Sequence, residues 1–418
     1  MRRPYRSACT RVLGPVVAAA LLTLAAGCST GASASWHGPG ATGPSGGGAG
    51  SPSSSGPALM TITPAGNATD VSVTDPVTVS AVEGATLDAV TVTNSTGRPL
   101  QGHFDTAKRS WHSTEALGYA KSYTVAGSAT SSGGQHAEQT ATFTTVKPRN
   151  VTLPYLRASA SHLLSERTTY GVGQTITVHF DEAIPDRAAA EKAVTVTAVP
   201  AVEGRWHWMD DHEMHWRPQA YWTSGTKVTV TAKVYGKDLG NGLYGQSDSS
   251  ATFTIGESHV SIADNATHHM VVYVGGAPAR DIPVSMGKGG YSKDTKGNAI
   301  DFWTRNGAHV VLDKEPVTHM TSTSWGITDK KDPNFYDAMI KDTVHLSYSG
   351  EYVHLADWNI PQQGKVNTSH GCINVAPGPI DWFYNLSIPG DVVEVRNSPI
   401  PLPIRDGVGD WTVPWAQW

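Results

Sequence analysis

Apolar and polar positions alternate in short runs through the first half of the chain. Val90-Thr91-Val92-Thr93, Ser122-Tyr123-Thr124-Val125 and Ala141-Thr142-Phe143-Thr144 each put every second side chain on one face, the pattern of a half-buried strand. The same pattern then returns. Val194-Thr195-Val196-Thr197, Lys227-Val228-Thr229-Val230 and Ala251-Thr252-Phe253-Thr254 follow at offsets of 104, 105 and 110 residues, and Trp111 has its counterpart 105 residues on in Trp216. Helical periodicity is scarce. From His259 the pattern changes. Residues 270–274 read as a strand turned by Gly275-Gly276, and glycine-rich loops follow. A polar stretch over residues 321–341 reads as a mobile flap. Tyr352-Val353-His354-Leu355 alternates again. Residues 379–385 read as a short helix with Trp382 and Phe383 inward, and residues 392–395 as a last strand.

Each repeated module is about 100 residues of short strands separated by turn signals, which suits an immunoglobulin-like sandwich. The expected fold class is mainly β: two tandem immunoglobulin-like β-sandwiches (residues 58–147 and 148–255), then a β-rich domain with a few short helices (residues 256–396). Nothing in the two modules looks catalytic, so they read as spacers or docking surfaces. The tail, residues 397–418, carries Trp411, Trp415 and Trp418. A solvated tail would not hold three tryptophans, so it is expected to pack on the domain of residues 256–396.

Composition changes the picture at the N-terminus. Residues 1–27 hold four arginines, no acid, and an apolar run of about 15 residues, too short to span a bilayer, which takes about 20. They read as a secretory leader. It ends in Leu24-Ala25-Ala26-Gly27-Cys28, which resembles a bacterial lipobox with Ala25 where leucine is usual. That resemblance implies acylation of Cys28 and export to the outer face of the plasma membrane. Residues 28–57 contain 9 Gly, 8 Ser, 4 Pro and no charge, a flexible tether. The chain of 418 residues carries a net charge of −5, and −9 without the leader, which argues against a nucleic-acid partner. Three cysteines make no disulfide framework. With Cys9 in the leader and Cys28 acylated, Cys372 is the one thiol left for chemistry.

The His- and acid-rich run from Arg205 to Trp216 invites a metal-site reading. Alternation argues for a hairpin instead. Asp210-Asp211 makes the turn, Trp206 and Trp208 share one face, and His207 and His215 lie on the other; no metal is expected.

Cys372 lies two residues after His370 and eighteen after His354. A free thiol is only about 3% thiolate at neutral pH, so a catalytic cysteine needs an imidazole to take its proton. Spacing alone leaves open which histidine serves, and also leaves open a buried structural cysteine. Gly371 allows a sharp turn that exposes N–H groups beside the sulfur, suited to an oxyanion.

The run His354…Ser369-His370-Gly371-Cys372-Ile373-Asn374 resembles the signature of L,D-transpeptidases, a histidine followed at this range by Ser/Thr-His-Gly-Cys-hydrophobic-Asn. The likeness extends from residue 256 to residue 418 as a YkuD-type catalytic domain. The two modules are similar to the immunoglobulin-like spacers of actinobacterial members. The resemblance implies an acyltransferase that needs no cofactor and acts on peptidoglycan stem peptides. Cys372 would attack a donor tetrapeptide stem, release D-alanine and hold a thioacyl intermediate. The third-residue amine of an acceptor stem would resolve it. By resemblance His354 is the base, Leu355 orients it through a backbone carbonyl, and His370, Gly371 and Cys372 present N–H donors. Ser369 borders the substrate site, and Asn374 fixes the motif loop. Tyr336, Met320 and Trp325 are expected as flap residues around substrate. Carbapenems and related β-lactams are the implied covalent inhibitors. The alternatives on the same scaffold are an L,D-carboxypeptidase and a wall-binding lipoprotein.

Overall fold

The computed structural model describes residues 58–418. The leader, Cys28 and the tether lie outside the described residues. Two sandwiches come first. One stacks the strands Met60–Thr63, Thr78–Ala81, Ser110–Ser113 and Gly102–Phe104 on a sheet of Ala85–Asn94, Ser122–Ser131 and His136–Thr144. The other stacks a five-stranded sheet, ordered His162–Leu163, Pro154–Ser159, Ile176–Phe180, Glu213–Pro218 and Gly204–Trp208, on a sheet of four. In that second sheet Thr169–Tyr170, Ser249–Ile255, Lys227–Ala232 and Val194–Val199 are neighbours in that order.

The duplication reaches the packing. Trp111 and Trp216 are both buried, and each lies over a glycine of the strand paired with its own. A Cβ on Gly102 would sit 2.0 Å from Trp111 Cζ2, and one on Gly204 would sit 2.0 Å from Trp216 Cζ2. The indole therefore needs a glycine beneath it in both copies.

The third region is built on one nine-stranded sheet. Its order is Gly307–Val310, Val392–Arg396, His259–Asp264, His269–Val274, Ala277–Ser285, Ile373–Val375, Tyr352–Leu355, Asp337–His345 and Asp313–Thr321. Alternating apolar positions of the central strands (Met270, Val272, Ile282, Val284, Val353, Ile373, Val375) form one core with the helix Pro379–Leu386. Ile380 and Phe383 of that helix are buried. Trp382, expected inward, is half-buried under the Arg280 guanidinium at 4.5 Å. Among the described residues no helix is long and apolar enough to cross a membrane.

The second sandwich joins this sheet by close backbone contact. Gly171 and Gly173 N–H donate to Pro389 and Gly390 carbonyls, both at 2.8 Å. Ala308 and Val392 of the large sheet belong to the second sandwich's own core.

The tail packs on the third region as expected, with Val408 and Trp411 against Val310 and Leu312 and the Leu402 N–H donating to Asn306 O, but its tryptophans also reach the second sandwich. Arg217 lies 4.8, 5.4 and 4.5 Å from the rings of Trp411, Trp415 and Trp418. Trp418 also stacks on His207 at 4.9 Å, and Trp411 Nε1 donates to Gly173 O at 2.7 Å. The hairpin pairs as expected, Trp206 with Trp216 and His207 with His215. Its histidine face is not solvated, however, because the tail covers it and buries His215 against Asp410 at 2.8 Å. Burial opposes the imidazolium, yet Asp410 and Glu213 outweigh it and raise His215 to about 9. The tryptophans choose this surface because it offers Arg205 and Arg217 as cation–π partners. At the hairpin turn, Asp210 Oδ1 accepts the N–H groups of His212 and Glu213, and its other oxygen pairs with Arg405 at 3.1 Å.

Candidate active site

The strands Tyr352–Leu355 and Ile373–Val375 pair in parallel, with His354 opposite Asn374. This register brings His354 beside the turn that carries Cys372, one residue before the second strand begins. His354 is buried. Its Nδ1 lies 2.8 Å from Leu355 O. A carbonyl only accepts, so Nδ1 carries the hydrogen and Nε2 keeps the lone pair that can take a proton. Trp358 stacks on the ring at 5.9 Å. Burial pulls His354 down to about 4, with the Leu355 carbonyl opposing.

Cys372 is half-buried and is the free thiol among the described residues. Its Sγ donates to Gly350 O at 3.6 Å. Burial pushes the thiol up to about 12; the Tyr352 N–H works against this and the Glu351 charge adds to it. The resting pair is therefore neutral, thiol and imidazole.

The turn that carries Cys372 is stapled from both sides. Ser369 Oγ donates to Cys372 O at 2.6 Å and accepts the Gly371 N–H at 3.1 Å. Thr304 Oγ1 donates to Gly371 O at 2.7 Å and accepts the Gly287 N–H at 2.9 Å. Gly371 has φ +140°, a backbone that side-chain-bearing residues rarely adopt. Asn374 is buried, but its Oδ1 has no protein partner among the described residues. The residue lines a cavity, and its Oδ1 does not tie the loop as expected.

The flap is the end of the hairpin Asp313–Thr321 and Asp337–His345, closed by the 3-10 turn Ser322–Trp325. Ser322 Oγ fastens its two sides, donating to Ile327 O at 3.1 Å and accepting the Tyr336 N–H at 3.1 Å. Trp325, Tyr336 and Phe302 surround the His370 ring at 5.6, 5.4 and 5.0 Å. Lys288 Nζ lies 3.4 Å from His370 Nε2 and also donates to Asn334 of the flap at 2.6 Å. Burial first, and Lys288 second, lower His370 to about 4, so its ring is neutral and acts as a wall. Burial likewise raises the Tyr336 phenol.

Two cavities meet at the sulfur. One of about 460 Å³ is lined by Met320, Tyr336, Ile340, His354, Trp358 and Asn374 among others. The second, about 240 Å³, is lined by Asp301, Trp303, Arg305, Trp325 and Glu351 among others. Cys372, His370 and Tyr336 line both, and Ser369 lines the first. Leu355 contributes its carbonyl and packs its side chain against the core. Sequence reasoning missed Lys288, Phe302, Thr304, Glu351 and Trp358. They lie up to 84 residues from Cys372 and no local motif marks them.

Comparison with known proteins agrees with this layout. Residues 258–395 match the family described as L,D-transpeptidase catalytic domain, and residues 68–238 match the bacterial Ig domain. L,D-transpeptidase 2 of Mycobacterium tuberculosis is 39% identical, over 84% of this chain and 81% of that protein. L,D-transpeptidase 5 of the same species is 33% identical over 86% of this chain and 76% of that one. A crystal structure of the M. tuberculosis L,D-transpeptidase 3 with a faropenem-derived adduct aligns with 57% of this chain and 98% of its own, at 29% identity and a TM-score of 0.44. The chain belongs to the L,D-transpeptidases, a family of cysteine acyltransferases.

Proposed function

We propose that this enzyme joins two peptidoglycan stems through a thioacyl intermediate on Cys372. The observation that supports transfer over hydrolysis is that the nucleophile opens on two cavities, one for each stem. A donor peptide bond enters the larger one. As Sγ attacks the carbonyl carbon, its proton passes to His354 Nε2. Transfer and attack must be coupled, because a free thiolate–imidazolium pair is disfavoured in this burial. The oxyanion develops beside the His370–Cys372 backbone. There the Gly371 N–H is engaged by Ser369 Oγ, leaving the N–H groups of Cys372 and His370 as the assigned donors. The C–N bond breaks, the imidazolium protonates the leaving D-alanine amine, and a thioester remains. An acceptor amine from the second cavity then attacks the thioester. His354 takes a proton from it, and the sulfur leaves and is reprotonated.

Met320, Ile340 and Trp358 give the donor cavity apolar walls. A strained β-lactam amide of the carbapenem type would acylate the same sulfur. Cys28 is assigned as the lipid anchor on the outer face of the plasma membrane, with residues 1–27 as leader and residues 28–57 as tether. The sandwiches of residues 58–147 and 148–255 then carry the catalytic region of residues 256–396 into the wall.

Incubating the protein lacking residues 1–28 with a stem tetrapeptide tests the reading. Cross-linked dimer plus D-alanine supports it. Tripeptide plus D-alanine without dimer would make the enzyme a carboxypeptidase. Turnover retained in Cys372→Ala would remove the nucleophile assignment.

A further inference from the structure

Behind the catalytic turn lies a buried acid that the chemistry above does not use. Glu351 is 5% exposed and follows Gly350, whose carbonyl receives the Cys372 thiol. Its Oε1 accepts the Arg305 N–H at 2.6 Å. Its Oε2 lies 3.0 Å from Nε2 of His309, which is fully buried. A carboxylate only accepts, so Nε2 carries the hydrogen of that contact, and Nδ1 lies 3.2 Å from Gly307 O. Glu351 Cγ lies 3.9 Å from the point a Cβ on Gly371 would occupy, so the side chain runs under the turn.

These contacts tie three segments that the sheet alone leaves separate: the approach to the His354 strand, the Gly307–Val310 edge strand, and the loop through Thr304 and Arg305. That loop holds the Gly371 carbonyl through Thr304. Burying a carboxylate costs several kcal/mol per ion before its partners repay it, and an apolar side chain would fill such a place at less cost. The other charged or titratable groups around it are the Asp301–Arg305 ion pair at 3.0 Å, Tyr336, His370 and Cys372 itself. Arg305 turns its guanidinium to Asp301, so His309 is the side chain that faces the Glu351 carboxylate.

We propose that Glu351, paired with His309, is a positioning residue for Cys372: it locks the Gly371 turn through the Arg305 loop and sets a fixed negative charge beside the nucleophile. The resting site then carries a thiol, and the proton leaves sulfur only for His354 as a donor carbonyl is attacked. Glu351 is one of the influences that push the Cys372 thiol upward, which agrees with this arrangement. The inference rests on Cys372 being the nucleophile.

The test separates charge from scaffold. Glu351→Gln keeps an acceptor for Arg305 and, with the His309 hydrogen moved to Nδ1 opposite Gly307 O, a donor for Nε2, but removes the charge. Glu351→Leu removes both hydrogen bonds. The readouts are the rate of Cys372 alkylation by neutral iodoacetamide between pH 6 and 10, and the rate of acylation by a stem tetrapeptide followed by intact mass, with near-ultraviolet circular dichroism as the check of folding. Glu351→Gln should displace the alkylation profile to lower pH and raise the rate at pH 7.5 by about 5- to 10-fold, since one unit in a thiol's pKa is a factor of about ten in thiolate below it. Glu351→Leu should show the same displacement but acylate at least about 10-fold more slowly. An alkylation profile of Glu351→Gln that overlays the wild type would show that the charge does not reach the sulfur. Wild-type acylation by Glu351→Leu would overturn the positioning role. Alkylation needs no stem peptide, so the first result is independent of the transpeptidase reading, and wild-type turnover of the stem tetrapeptide tests that reading separately from the second.

Discussion

Asp410 is the residue through which the C-terminal tail holds the second sandwich, and its removal should be felt as a pH-dependent loss of stability. Its side chain is fully buried, with Oδ1 2.8 Å from His215 Nδ1, while Glu213 Oε1 lies 3.2 Å from the other ring nitrogen. The imidazolium between two carboxylates has its pKa raised from 6.5 to about 9. At 1.36 kcal/mol per unit this is about 3 kcal/mol, within the range of about 3–5 kcal/mol for breaking a buried ion pair from one side. The folded value lies above the unfolded one. The contribution is therefore complete below pH 6.5 and is lost as pH rises through about 9. Asp410→Asn keeps the shape and an acceptor but removes the charge. Thermal unfolding followed by tryptophan fluorescence should show Tm lowered at pH 6 by about 6–12 °C, taking about 2–4 °C per kcal/mol for a domain of this size. The gap from wild type should close between pH 6.5 and 9. Arg217 also feels the Asp410 charge, and it stays protonated throughout. A gap of constant size from pH 6 to 9 would make Arg217 the partner that matters and refute the role given to His215.

The acidic limb of kcat/KM should fall near pH 4, where His354 is protonated, and not near 6.5; a stem-peptide assay from pH 3.5 to 8 with a limb at 6.5 would show that the imidazole is not buried neutral. His354→Ala should cost about 100- to 10,000-fold in rate, while Leu355→Ala should cost little because its contribution to the base is the carbonyl; equal losses in the same assay would redraw the assignment. Gly171→Ala should destabilise the junction by more than about 2 kcal/mol, because its Cβ would lie 2.2 Å from the Asp391 backbone nitrogen, too close for any relaxation short of separating the two backbones; an unchanged Tm would mean the two surfaces are not joined in solution.

Local chemistry was legible in the sequence because it is written in consecutive residues. The Ser369–Asn374 run and the alternation before His354 put His354 on one strand and Cys372 at the start of its parallel neighbour. The repeat at 104 to 110 residues was legible because sandwich strands expose one face to a shared core, which fixes a two-residue period. What could not be read depends on partners far apart in the chain. Lys288 and Thr304 reach the catalytic turn from loops with no periodicity, and Glu351 is one acid in a turn until the fold buries it. His215 sits on the polar side of an alternating strand, and that side was covered by residues almost 200 positions later. Alternation states which face is polar. It does not state what lies on it. The tryptophans of the tail announced that they must be buried, but the choice of surface was made by two arginines on the second sandwich.

The two sandwiches are alike in sequence and unlike in what they touch. The first meets the second through a tyrosine cluster. Tyr119 Oη donates to Gly245 O at 2.7 Å, Tyr235 Oη donates to Leu117 O at 2.5 Å, and the Gly236 N–H reaches Tyr119 Oη at 2.8 Å. The second reaches the Tyr348–Gly350 loop. Its Ala160 N–H donates to Tyr348 Oη at 2.7 Å, and Asp406 of the tail accepts the Ser349 N–H at 2.7 Å. Gly350, in the same loop, holds the Cys372 thiol. A spacer can be shortened without altering the chemistry it carries, and the expectation from sequence treated both modules so. By these contacts it applies to the first alone. A protein beginning at residue 148 should therefore turn over soluble stem peptides at close to the full rate. One beginning at residue 256 should lose at least about tenfold, because the Tyr348–Gly350 loop is released on one side and a displacement of about 1 Å at a reacting group can cost 100-fold. Tyr348→Phe in the full chain isolates the contact: it deletes the acceptor for Ala160 while leaving the ring in place. Full activity in both the residue-256 protein and Tyr348→Phe would return the second sandwich to the status of a spacer.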